Sequence, residues 1–90
     1  MPDQLDTYIS EHADRWTAEL RELCAIPSEA TDADALRGAA AWCEQRLHAA
    51  GCDARQVSLD GAPPLVVGET GSGARTLIGV QHYDVQPAVP

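Results

Sequence analysis

Ninety residues hold one small domain at most, and a core of that size leaves much of its surface wet and is only marginally stable without a staple. The chain carries 14 acidic residues against six arginines and no lysine, a net charge of −8, and this excludes a nucleic-acid backbone as partner because phosphate binding needs a basic face. No apolar run approaches the roughly 18 residues needed to span a bilayer, so a membrane is not an expected partner either.

Aromatic residues are limited to Tyr8, Trp16, Trp42 and Tyr83, so any core is built mainly from Leu, Val, Ile and Ala. Cys24, Cys43 and Cys52 are an odd number, and the opening MPDQLDTY is acidic and polar, without the basic and apolar regions of a secretory signal. A reducing, cytoplasmic setting is the expectation.

From Leu5 the residues Leu5, Tyr8, Ile9, His12, Trp16, Leu20 and Leu23 recur at three and four positions, which predicts an amphipathic helix with Asp3 as N-cap. Pro27 disfavours helical geometry at Ile26, so this helix stops near Ala25 and IPSEA forms a turn. Thr31 with Asp34 resembles a capping box and opens a second helix on Leu36, Ala39, Ala40, Cys43, Leu47 and Ala50, which Gly51 ends.

Beyond Gly51 the period shifts toward two. CDARQVSL predicts a first strand, Asp60-Gly61 and Pro63-Pro64 a turn, LVVGE a second strand antiparallel to the first, and ARTLIGVQ a third strand after a Gly71-Ser72-Gly73 hairpin loop. TLIGV lacks alternation and predicts burial on both faces, as in the central strand of an α/β sheet. Two helices and three strands are too few to cover such a strand, so the expected fold class is α/β, with these residues forming the first part of a larger domain.

Several motifs are weighed and set aside. GETGSGAR has the glycine separation of a phosphate loop, but Ala74 and Arg75 stand where lysine and Ser/Thr are needed, and Thr76 breaks a dinucleotide fingerprint. The cysteine spacings of 19 and nine fit neither a redox pair nor a zinc ribbon, leaving buried structural thiols. Ser28 lacks a nucleophile-elbow context, and His12 and His48 fall on or beside apolar stripes, where packing or surface roles suffice. His82 and Asp84 differ. An i, i+2 pair on extended backbone faces one way, at the carboxyl end of a strand where α/β sites gather, and a neutral imidazole there can bind metal while a carboxylate orients its ring. A plain polar strand end is the competing reading, with Pro87 and Pro90 marking the exit into a loop.

The stretch LIGVQHYDVQPAVP, and within it HYDVQP, resembles the first metal motif of the dinuclear zinc peptidases, a family that includes cytosolic non-specific dipeptidases, carnosinases, glutamate carboxypeptidases, succinyl-diaminopimelate desuccinylases and aminoacylases. The dipeptidase branch is the nearest. AIPSEA is similar to the family's IPS turn, and the order of helix, turn, helix, hairpin and strand matches over essentially the whole chain. Gln81 departs from the family's usual glycine.

The resemblance implies the first part of a three-layer α/β/α catalytic domain over residues 1–90, with the rest of the domain and any inserted dimerisation domain absent. It implies that His82 ligates one of two Zn2+ ions (Mn2+ or Co2+ being alternatives), and that Asp84 is the catalytic-shell acid that orients the ligand or tunes the base. The implied activity is hydrolysis of dipeptides or short peptides by metal-activated water, by a full-length protein that can form a homodimer. The bridging aspartate, the glutamate pair and the remaining ligands would lie beyond residue 90, leaving the ninety residues inactive alone. Two other readings stand beside it: a non-catalytic acidic interaction module that pairs TLIGV to a partner's sheet edge, and a degenerate family member.

Overall fold

The computed structural model describes residues 2–87. Its elements are two helices, α1 (Pro2–Ala25) and α2 (Ala33–Ala49), followed by two strands, β1 (Asp53–Val57) and β2 (Leu65–Glu69). This is a small α/β arrangement in which one helix packs on a two-stranded antiparallel sheet.

Helix α1 ends at Ala25, as Pro27 requires, but it already includes Pro2, which places Asp3 in the first turn and not at the N-cap. An acid there still favours the positive end of the helix dipole. The cap of α2 also differs from expectation. Asp32, extended at φ −108° and ψ 92°, accepts a hydrogen bond from the Ala35 amide at 3.1 Å, so the cap lies one residue past Thr31. Both residue types cap well. At the other end Gly51 adopts φ +92°, its amide donating to the His48 carbonyl at 3.0 Å while the Cys52 amide donates to the Leu47 carbonyl at 2.9 Å. These two bonds form a Schellman motif, and its left-handed position is why glycine ends the helix.

The predicted stripe of α2 is the face that packs. Leu36, Ala39 and Ala40 are buried, Cys43 and Leu47 half-buried, and only Ala50, beyond the helix, stays exposed. Against this face lies the hairpin, with Asp53 opposite Glu69 and Val57 opposite Leu65. Its connection contains a turn in which the Ala62 amide donates to Leu59 at 3.1 Å, and Gly61 at φ +75° fills the position where a left-handed residue is needed. Buried Ala54 completes a small apolar core.

Two apolar surfaces lie outside this core. The stripe of α1 is open, with Leu5 and Leu20 each 60% exposed, and α1 is tied to α2 through the Glu19 carboxylate, which the Arg46 guanidinium contacts. The predicted third strand is absent: residues 70–82 are exposed and form no ladder, and Leu77 is 97% exposed. The expectation of burial on both faces therefore fails here, and Gly71-Ser72-Gly73 is a loop but not a hairpin loop. The reason is physical. An apolar extended run becomes a strand only when another strand satisfies its amides, and among the described residues neither open edge of the β1–β2 pair takes up residues 70–82. With a long single helix and an open segment, the radius of gyration is 15.5 Å, above the about 12 Å of a compact chain this long.

Candidate functional site

His82 and Asp84 come together as their spacing predicts, but not at the carboxyl end of a strand, because residues 70–84 form none. The His82 Nδ1 lies 3.1 Å from Asp84 Oδ1 and 3.2 Å from the Asp84 carbonyl oxygen. Both oxygens only accept, so Nδ1 carries the proton and donates to them. The ring is open to solvent and Nε2 takes no hydrogen bond among the described residues, which leaves that nitrogen's lone pair facing outward. A carboxylate on one ring nitrogen and an open second nitrogen is the donor arrangement of a metal-binding histidine.

The backbone that carries the pair is fixed from two sides. On one side is the IPSEA turn, closed by the Ile26 amide on Leu23 at 3.1 Å and the Asp32 amide on Glu29 at 2.9 Å. Glu29 forms a parallel bridge with Val85, and the Val85 amide donates to the Ser28 carbonyl at 2.9 Å. Fully buried Ser28 also donates its hydroxyl to the Tyr83 carbonyl at 2.9 Å. On the other side the Tyr83 hydroxyl donates to the Pro64 carbonyl at 2.6 Å, at the entry to β2.

Ser28 and Tyr83 escaped the sequence reading for different reasons. Ser28 acts across 55 positions, which no local pattern encodes. Tyr83 had a signal: between two residues that share a face, its side chain must point the opposite way, toward the body of the protein. Burial raises the Tyr83 phenol above its ordinary pKa, and the negative charges available to Cys43 and Asp84 push it further up. Burial likewise pushes the Cys43 thiol up.

The remaining candidates take structural places. His12 donates from Nδ1 to the Tyr8 carbonyl at 2.7 Å and clusters with Tyr8 and Trp16, tilted to the first at a centroid distance of 4.1 Å and stacked on the second at 5.5 Å. His48 sits 3.6 Å from Glu44 on the same helix. The three cysteines are free thiols, but Cys24 is exposed, contrary to the expected burial, because it lies on the open side of α1. A groove of about 690 Å³ between α2, β2 and the segment 79–84 is lined by Trp42, Leu47 and Val66 and also by His82 and Asp84.

Among the described residues no three His, Cys, Asp or Glu side chains converge on a point where one metal ion would sit. To a metal ion the pair would therefore offer one imidazole nitrogen with a carboxylate beside its ring. Comparison with protein-family models, curated proteins and solved structures gives no match for this chain. No helix among the described residues is long and apolar enough to cross a membrane.

Proposed function

We propose that these residues form the first part of a three-layer α/β/α metallopeptidase domain, a zinc-dependent, dipeptidase-like hydrolase of the reducing cytoplasm acting on dipeptides or short peptides. The observation that carries this reading is the His82–Asp84 pair, with Nδ1 held at 3.1 Å by the carboxylate and Nε2 open. In support, HYDVQP and AIPSEA, the two segments that resemble the zinc-peptidase family, are hydrogen-bonded to each other through Ser28. The groove that the pair helps to line is of the size that admits a small ligand.

In this reading His82 would hold one zinc ion through Nε2. Asp84 would fix the ring's tautomer by accepting from Nδ1. Bound zinc supplies polarisation of the peptide carbonyl and a water made nucleophilic near neutral pH. A catalytic zinc needs about three protein ligands, so the proposal assigns the others, and the general base, to chain outside these ninety residues. The test is hydrolysis of unmodified dipeptides by the complete gene product, with Zn2+, Mn2+ or Co2+ added after chelation. Metal-restored hydrolysis that is abolished in His82→Ala supports the proposal, and a folded product that cleaves no dipeptide with any of these metals refutes it.

A further inference from the structure

We infer that Ser28 is the positioning residue of the His82–Asp84 pair. The Tyr83 carbonyl, which accepts from the Ser28 hydroxyl at 2.9 Å, belongs to the peptide plane that enters Asp84. The Val85 amide, which donates to the Ser28 carbonyl at 2.9 Å, belongs to the plane that leaves it. A residue's two backbone dihedrals are the orientations of its flanking peptide planes about Cα. One buried residue thus fixes both dihedrals of Asp84, and with them the direction in which its carboxylate leaves the backbone.

That direction decides what His82 does. The pair is exposed, so water competes for both partners, and a freely rotating carboxylate would hold the ring only part of the time. Held in place, Asp84 keeps the proton on Nδ1 and the lone pair on Nε2. Ser28 is 0% exposed, so no water can replace its hydroxyl, and removing it leaves the Tyr83 carbonyl without this donor. The Tyr83 hydroxyl grips the same segment from the hairpin side but reaches neither plane beside Asp84. It offers a control that removes one tie to the segment without removing a bond to either plane beside Asp84.

The catalytic consequence rests on the reading of His82 as a zinc ligand, whereas the geometry does not, and the two are tested apart. The experiment reads the His82 tautomer ratio by imidazole 15N NMR on the full chain without metal, at one mildly alkaline pH shared by every variant. Wild type is expected to be mainly the Nδ1–H tautomer. In Ser28→Ala, which keeps the main-chain bond to Val85, the Nδ1–H to Nε2–H ratio falls about fivefold, the scale of one hydrogen bond. Tyr83→Phe leaves the ratio within about twofold of wild type, and Ser28→Thr, which keeps the hydroxyl, retains it. If Ser28→Ala does not fold, Ser28→Cys, a weaker donor of similar size, must lower the ratio in the same direction. An unchanged ratio without the hydroxyl, or an equal fall in Tyr83→Phe, overturns the assignment, whatever zinc does.

Discussion

The side chain of Leu47 lies so close over the backbone of Gly68 that a Cβ on residue 68 would stand 2.9 Å from Leu47 Cδ1. This approach lets α2 settle on β2, and its partner atoms are the mobile ends of a leucine. Gly68→Ala therefore sets two effects against each other: the strand gains about 0.5–1 kcal/mol from losing glycine's backbone freedom, and Leu47 must swing aside. The expected net change is within about 0.5 kcal/mol. Leu47→Ala alone costs about 1–2 kcal/mol, below the usual range because the residue is half-buried. In that background Gly68→Ala becomes stabilising. Urea melts of the four proteins check this, and a Gly68→Ala effect that is the same in both backgrounds would mean the two residues are not coupled.

The start of α2 gives a second test. Asp32 caps the helix through the Ala35 amide, whereas the Thr31 side chain makes no such bond. Asp32→Ala is expected to cost about 1 kcal/mol, and Thr31→Ala less than about 0.5 kcal/mol. Thermal or urea unfolding that ranks the two the other way would move the cap back to Thr31.

That one-residue shift marks how far the sequence was legible. The stripe Leu36, Ala39, Ala40, Cys43, Leu47 emerged because helical period and packing share a repeat, and the β1–β2 pairing because Asp60-Gly61 and Pro63-Pro64 confine the connection. The His82–Asp84 pair was legible for a similar reason, as i, i+2 spacing on extended backbone is local geometry. TLIGV was not. Its composition says that it would be buried if paired, but pairing depends on a second strand, and a local pattern cannot say whether one is present. The contact of Ser28 with Tyr83 was hidden for the same reason: only the assembled fold brings the turn to the segment.

The phenol of Tyr83 predicts an alkaline weakness. Its pKa is raised, first by burial and then by the charges of Cys43 and Asp84, so the fold favours the neutral form. A group raised in this way contributes its full stability below its unfolded pKa of about 10 and loses it as pH rises through the higher folded value. The phenolate also cannot donate to the Pro64 carbonyl. At neutral pH Tyr83→Phe should be less stable than wild type by about 1 kcal/mol. Above pH ~10 the wild type should lose stability faster than the variant, so the gap narrows. Urea melts across this range decide it, and a gap that stays constant would show that the phenol is not the titrating group.

The cysteines should react in an order set by place. Cys24 is exposed on α1, while Cys43 faces the sheet with a thiol that burial pushes up, so both its access and its thiolate fraction are reduced. Alkylation of the native chain at neutral pH, followed by peptide mass spectrometry, should label Cys24 first and Cys43 on the order of tenfold more slowly. In denaturant the two should react at similar rates. Equal rates in the native chain would mean that α2 does not stay on the hairpin.

Zinc itself supplies the last test, through the difference between one corner of a site and a whole one. A single imidazole with an orienting carboxylate offers one ligand where a zinc centre needs three or four, and no further group of ligands converges among the described residues. Calorimetric titration of the ninety-residue chain should therefore show no tight, stoichiometric binding. In the complete gene product Asp84→Asn should lower zinc affinity by about 10–100-fold, the usual loss when the partner of a ligating histidine is removed, because an amide can present its NH2 to Nδ1 and favour the wrong tautomer. His82→Ala should cost more than Asp84→Asn, since it deletes the ligand and not its support. Tight binding to the short chain that disappears in His82→Ala would contradict the one-corner reading and require other ligands within these ninety residues. An Asp84→Asn protein that binds zinc as wild type does would instead leave His82 as a ligand and strip Asp84 of its role.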